Sequence, residues 1–483
     1  MAGLYVGVDV GTQGAKAVVY DAKTKSVVSR GAHKYDIIKT SVPGRAEQHP
    51  SLWIEGGFAA IDSALSEVDR KDVRGIGISG QQHGFVPMDG DGQVIRNAKL
   101  WCDVESAEEA EHLSNEWEYS LVPGFTASKI LWLKNKEPEN FARLRKVLLP
   151  HDFLNYHLTG RYCMECGDAS GTGLFDTANR TYDTKRMETI DKSLPDFFPE
   201  LIGPNEIVGH LRPEIARELG LTGDVAVAPG SGDNQMSALG AGAVKEGTWV
   251  VSLGTSGTLF GATPIPVVDN SGGIAPFCDA TGQFMPLLCT MNCTLAPEEV
   301  RKSFDMDHES ITMLAEAEEA GSAGANFLPF LTGERTPNWP HSYGVITGIR
   351  QGGMRPGLLY RAALEGATFS LVNGMRMLEK YGVTAKELRV VGGGSKNRLW
   401  RRIIADAFQL PLRFPAEPES AALGGALQAA AVCAGVPVAE YVAENEPPCE
   451  EEFMEPDPSK KALYDAAFER HQSLSNALFQ KRP

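Results

Sequence analysis

The sequence predicts an α/β protein of two similar domains facing a shared cleft, and two observations carry the prediction. A glycine-threonine turn between strand-like runs occurs twice, as Gly7-Val8-Asp9-Val10-Gly11-Thr12-Gln13-Gly14 and as Val251-Ser252-Leu253-Gly254-Thr255-Ser256-Gly257, with about half the chain between the copies. Each copy is followed by alternating helical and strand patterns, the mark of an α/β layer architecture. The 483 residues also exceed what one hydrophobic core usually supports. The expected domains are residues 1–243 and 244–483.

Taken in order, Leu4 to Val8 and Ala15 to Tyr20 flank the first turn as a hairpin, and a further strand lies near Ser26–His33. A helix is expected from about Pro50 to Val68, where Trp53, Phe58, Ile61 and Leu65 recur near helical spacing. Arg74 to Ser79 is a short buried strand. Ser106 to about Lys146 reads as a charged helical segment with an apolar Trp132-Leu133 stripe, Pro150 opens another helix, and Gly167 to Gly173 reads as a polar loop. Ala226 to Asn234 leaves a strand for a small-residue helix, Gln235 to Ala243. The second half repeats the hairpin with Trp249–Leu253 and Thr258–Ala262. It continues with a helix near 356–381, a strand at 388–391, and helices near 399–409 and 421–434. Residues 444–458, acidic and rich in proline, read as an exposed connector before a last helix at 460–479.

A formal charge of −16 argues against nucleic acid or an anionic membrane surface as a partner. The N-terminus lacks the basic and apolar regions of a signal peptide, and no apolar run reaches membrane-spanning length. The expected compartment is the cytoplasm. Eight cysteines in a chain this long do not form a disulfide scaffold. Cys163 and Cys166 share a CxxC and Cys289 and Cys293 stand four apart, but nothing brings the pairs together as a zinc site, and the thiols read as structural.

The chemistry suggested by the turns is phosphoryl transfer. Glycine lets backbone approach an anion without a Cβ in the way, and exposed N–H groups with a threonine hydroxyl donate to phosphate oxygens. An acidic protein that takes a nucleotide must build that site locally, from backbone donors and magnesium. Asp9 is a candidate to orient Mg2+ through water, or it caps its own turn. The second copy carries Ser252 where the first carries Asp9, so only one half keeps the carboxylate. Asp233 is either the N-cap of the helix that follows or a base that reaches a substrate hydroxyl. Gln81-Gln82-His83 offers two amides and an imidazole for several hydroxyls at once, or satisfies its own loop. Trp101 suits stacking on a sugar face or a place in the core, and Asp103 suits hydroxyls. Gly392-Gly393-Gly394 lacks the spacing of a dinucleotide fingerprint, and no Gly-Lys step exists for a Walker loop.

In order along the chain, Gly7 to Thr12, Ser79 to Gly84, Gly232-Asp233-Asn234, Ser252 to Gly257, Phe327 to Pro337 and Gly392 to Gly394 resemble the motifs of the FGGY carbohydrate kinases. The resemblance covers nearly the whole chain, from Leu4 to about Ala434. It implies two ribonuclease H-like domains of the actin and sugar-kinase type, with ATP and sugar meeting between them, and a homodimer as a plausible assembly. It implies ATP-dependent phosphorylation of D-xylulose at its terminal hydroxyl; other ketoses or polyols (ribulose, gluconate, glycerol) and a non-catalytic sugar sensor are the alternatives. By the same resemblance Asp233 is the general base, and Gln82, His83, Trp101, Asp103 and Asn234 surround the sugar. Gly11, Thr12, Gln13, Gly254 and Thr255 face the phosphates, Gly393, Gly394 and Asn397 hold the adenosine, and Asp9 sits near magnesium. Some relatives read Gln-Met-His and Trp-Asn-Asp where this chain has Gln81-Gln82-His83 and Trp101-Cys102-Asp103, and both changes touch the sugar pocket.

Overall fold

Two sheets repeat one arrangement in the computed structural model, which describes residues 3–480. The first half gives strands β1 (Leu4–Val10), β2 (Gly14–Asp21), β3 (Ser26–Lys34), β4 (Val73–Gly80), β5 (Gly209–His210), β6 (Ala226–Val227) and β7 (Ser231–Gly232). They lie in the order β5-β6-β4-β1-β2-β3, with β7 also on β4. The second half gives β8 (Thr248–Leu253), β9 (Gly257–Gly261), β10 (Ala275–Cys278), β11 (Phe284–Thr290), β12 (Glu387–Val391), β13 (Leu412–Pro415) and β14 (Cys449–Met454), in the order β10-β11-β9-β8-β12-β13-β14. In each sheet the strand before the glycine-threonine turn pairs antiparallel with the strand after it and parallel with a later one: β1 with β2 and β4, β8 with β9 and β12. The expected two-domain α/β fold is present. Among the described residues no single helix is long and apolar enough to cross a membrane.

The helices that matter to the site are α1 (Ser51–Ala64), α2 (Thr126–Lys136), α3 (Pro150–Thr159), α4 (Asp233–Gly240), α5 (Leu295–Ser303), α6 (His308–Glu316), α7 (Pro356–Glu379), α8 (Arg398–Phe408) and α9 (Ser420–Ala434). Helix α9 follows β13 of the second sheet yet packs on β1 and β4 of the first and on α4. The packing therefore crosses the division placed at residue 243. It is made by glycines. A Cβ on Gly7 would lie 1.7 Å from the Ala422 carbonyl oxygen, one on Gly77 2.0 Å from that of Gly425, and one on Gly240 1.8 Å from that of Ser420. The alanine-rich sequence of α9 suits this: small side chains let its backbone rest on the sheet, and Ala422, Ala426 and Ala429 are fully buried.

Three expectations are corrected. The segment near 106–146 is three helices, Ala107–Trp117, α2 and Pro138–Arg143, because Pro123-Gly124 and Pro138 interrupt the helical run. The polar loop at 167–173 contains a short helix, Cys166–Ala169, capped by Glu165 accepting the backbone N–H groups of Gly167 and Asp168. The acidic connector holds β14, an edge strand whose Glu450 and Glu452 pair with Arg401 at 2.8 and 2.7 Å. Charge pattern alone hid a strand whose carboxylates have partners on a neighbouring helix.

The glycine contact is open to test. Gly77→Val drives a branched side chain into the α9 backbone and should cost about 3 kcal/mol of stability, read from urea denaturation; an unchanged midpoint would show that α9 can shift away.

Candidate active site

Two cavities meet at Gly254: the smaller lies between the domains, and the larger is lined by the second domain alone. The smaller, about 240 Å³, is walled on one side by Gln82, His83, Trp101, Asp233 and Asn234 and on the other by Ser252, Ser256, Thr258, Cys289 and Arg335. The larger, about 970 Å³, is lined by Gly254, Thr255, Gly393, Gly394, Asn397 and Trp400, with Thr312 and Met313 from α6. A Cβ on Gly393 would meet nothing within 4 Å. Its backbone therefore borders open space where a ligand can approach closely.

Asp233 begins α4, and the cap residue is Gly232, so the carboxylate does not cap the helix. Its Oδ1 accepts from Asn234 Nδ2 at 2.9 Å, and Asn234 Nδ2 also donates to Gln82 Oε1 at 2.8 Å. Gln82 in turn donates to Gln235 Oε1 at 2.9 Å. The amide of Gln82 thus fixes Asn234, and Asn234 fixes Asp233. Burial pushes the Asp233 carboxyl up to about 8, helped by the negative charges of Asp9 and Asp168. Asp9, the last residue but one of β1, lies opposite Ser79 of β4, whose hydroxyl donates to Asp9 Oδ1 at 2.7 Å. Burial raises Asp9 to about 6 against the opposing pull of that bond. Its Oδ2 faces the Gly11 turn, 4.0 Å from where a Cβ on Gly11 would stand.

The first turn is braced from behind. Tyr35 donates its hydroxyl to the Gly11 carbonyl at 2.9 Å, and Gln48 donates to the Thr12 carbonyl at 2.8 Å. The Thr12 hydroxyl donates to Gln81 Oε1 at 3.1 Å and accepts from Trp101 Nε1 at 3.0 Å. Trp101 is thus tied to the turn while bordering the smaller cavity. Gly11, Thr12 and Gln13 border neither cavity, and Gln13 is exposed. Asn397 caps α8 by accepting from Trp400 N at 3.1 Å and donates to Thr312 Oγ1 at the same distance, which locks one wall of the larger cavity.

Asp103 is the one expected sugar residue that the structure keeps off the cavity wall. Its side chain is fully buried, with Lys99 Nζ 3.2 Å from both carboxylate oxygens and the Ala46 N–H donating to Oδ2 at 2.8 Å. Lys99 also pairs with Glu47 and Glu105. A cation held by three carboxylates explains why Asp103 turns inward.

His83 adopts φ +64°, left-handed for a residue with a side chain, and such a conformation persists only when its surroundings hold it. Lys129 of α2 and Thr126 do so. Lys129 Nζ donates to the His83 carbonyl at 2.9 Å and to the Gly124 carbonyl at 2.5 Å, and the Thr126 hydroxyl donates to His83 O at 3.2 Å. The ring stacks on Phe277 of β10, 5.7 Å between centroids, and tilts against Phe125 at 4.8 Å. A Cβ at Gly171 would lie 2.1 Å from His83 Nδ1. Burial holds the imidazole well below its usual range, so it stays neutral, and Nδ1 has no hydrogen-bond partner among the described residues.

A second network stands behind Asp233. His151 lies between Asp168, 2.8 Å from Nδ1, and Asp152, 3.0 Å from Nε2. Glu165 accepts the Ser231 hydroxyl at 2.8 Å, two residues before Asp233. Lys129, His151, Glu165, Asp168, Phe277 and Arg335 carry no recognisable spacing in the sequence. Only Arg335 lay within a quoted motif. All eight cysteines are free thiols.

The geometry defines a two-cavity phosphotransferase cleft, and the comparisons give it a family. Residues 4–240 match the N-terminal domain, and residues 249–433 the C-terminal domain, of the FGGY family of carbohydrate kinases. The chain belongs to that family and is a carbohydrate kinase. It is 38% identical over 444 residues to the xylulose kinase of Haemophilus influenzae, covering 88% of this chain and 90% of that one. It is 37% identical to the xylulose kinase of Streptomyces rubiginosus over 89% of this chain and 88% of that one. The crystal structure of a xyloylose kinase from Brucella ovis superposes with a TM-score of 0.93 at 33% identity, covering 98% and 99% of the two chains. A gluconate kinase from Lactobacillus acidophilus, at 23% identity and TM-score 0.91 over 98% and 97%, shares the fold.

Lys129→Met leaves buried carbonyls without their donor and should cost about 2 kcal/mol of stability. Sugar affinity should fall with it, while binding of a fluorescent ATP analogue stays unchanged; weakened nucleotide binding would mean that α2 supports more than the sugar side.

Proposed function

We propose that this chain transfers the γ-phosphoryl group of ATP to the terminal hydroxyl of D-xylulose, with Asp233 as general base. The observation that carries this reading is that Gly254 borders both cavities. A nucleotide in the larger one then ends, through the Gly254-Thr255 turn, at the mouth of the smaller one, whose wall holds Asp233. The relatives named xylulose kinases at up to 38% identity support the choice of sugar.

In this reading the sugar lies between His83 and Trp101 with its terminal hydroxyl toward Asp233. Asn234 occupies Oδ1, so the other carboxylate oxygen takes the proton as the sugar oxygen attacks phosphorus and the bond to ADP breaks. A carboxyl pushed up to about 8 by burial suits a base working near neutral pH. The N–H groups of the two glycine-threonine turns hold the phosphates. Asp9 fits the magnesium that accompanies ATP, because Oδ2 faces the first turn while Ser79 holds Oδ1. Bound there through water, the ion would neutralise phosphate charge. The negative charge of Asp9 raises Asp233, an effect that a cation near Asp9 relieves.

An ADP-release assay with MgATP and D-xylulose, D-ribulose, glycerol and D-gluconate tests the assignment. D-xylulose should give the highest kcat/KM, and preference for another member would replace the sugar while keeping the kinase. Asp233→Asn should lower kcat about 100-fold or more with little change in sugar binding; near-normal turnover would remove Asp233 from the reaction. The working base is deprotonated and its carboxyl titrates near 8. Below that pH, kcat/KM should therefore fall about tenfold per unit as the ionised fraction falls, and a flat profile between pH 6 and 8 would contradict this role.

A further inference from the structure

Arg335 enters the cavity that holds Asp233 from the opposite domain. Its backbone is fixed on every side. The Arg335 N–H donates to Glu334 Oε1 at 2.8 Å, and Glu334 also accepts from the Met291 N–H at 2.7 Å. Asn292 Nδ2 donates to the Gly333 carbonyl at 2.7 Å, and the Thr336 hydroxyl donates to Gly273 O at 2.9 Å.

The side chain stands apart from this scaffold. Among the described residues its guanidinium has no carboxylate partner within ion-pair distance and no hydrogen bond to a protein oxygen, although many arginines of this acidic chain are paired. Its charge is felt by His83, Tyr119 and Cys289, whereas the charges acting most on Asp233 are those of Asp9 and Asp168. The guanidinium shares the wall of this cavity with His83 and Cys289.

A guanidinium is a rigid fork of five donors with no acceptor and a permanent charge. Its best uncharged partner is an oxygen that only accepts. A ketose whose terminal hydroxyl faces Asp233 offers such an oxygen at its other end, the carbonyl, and a polyol of equal length does not. A site built around a polar partner rejects an analogue that lacks it more strongly than shape alone can. We propose that Arg335 is the specificity-determining residue of this site, donating to the carbonyl oxygen of the ketose and so selecting ketose over polyol. The inference rests on the D-xylulose reading above.

Because no carboxylate or protein oxygen depends on the side chain, which reaches the Cys289 thiol, its removal should leave the fold intact, which a melting curve checks. The test compares kcat and KM of the wild type, Arg335→Met and Arg335→Lys on D-xylulose, xylitol and D-gluconate. In Arg335→Met the KM for D-xylulose should rise about 30-fold or more, with the KM for ATP unchanged. The ratio of kcat/KM for D-xylulose over xylitol should fall about tenfold or more. Arg335→Lys, which keeps the charge and loses the fork, should fall between, and added ethylguanidine should restore part of the methionine variant's sugar affinity. An unchanged sugar ratio in a wild type that prefers D-xylulose, or a loss confined to kcat, would overturn the role of Arg335 alone. A wild type that prefers D-gluconate would overturn both readings, since a carboxylate would then be the partner of the arginine.

Discussion

Backbone contact without intervening side chains, made by glycines around one helix, is the constraint on which the site depends. Helix α9 touches β1 through Gly7, β4 through Gly77 and α4 through Gly240. Those three elements carry Asp9, Ser79 and Asp233 within a few residues of the contact or at the far end of the same short helix. Because α9 directly follows the second sheet's β13, it also ties this cluster to the domain that carries Gly254. Close-packed interiors transmit small displacements, so a shift of this seam would move one glycine-threonine turn against the other. A site that must place a base, a hydroxyl and a phosphorus in line has little tolerance for such a shift.

Electrostatics within that frame follow from the chain's acidity. Burial raises both Asp9 and Asp233, and the charges of Asp9 and Asp168 push Asp233 further. Each glycine-threonine turn offers backbone N–H donors and carries no lysine. Lys129 is buried under His83, its ammonium pushed down to about 7 by burial, and Arg335 lies in the second-domain wall of the smaller cavity.

Interdomain contacts give the sugar side its shape. Phe277 of the second sheet stacks on His83 of the first domain, and both line the same cavity as Asp233. His83 is held in its left-handed conformation by donors from α2, so the recognition surface depends on a helix that makes no contribution to either phosphate turn. Domain motion would therefore reshape the smaller cavity, which both domains wall, around the Gly254 edge it shares with the larger.

The sequence by itself determined the duplicated hairpin, the α/β class and the family, because a glycine-threonine turn between strands is a local pattern and its repetition is visible at any distance. Of the six residues it put around the sugar, five line the smaller cavity. What the tertiary structure decided is everything that depends on through-space partners. Asp103 left the cavity wall because Lys99 takes its carboxylate, and the acidic segment near 444–458 became a strand because Arg401 is within reach. Lys129, the His151 network and the unpaired Arg335 acquired meaning only when the fold set them beside His83 and Asp233. Backbone geometry is written in neighbouring residues, whereas charge pairing and close approach are settled by residues that only folding brings together.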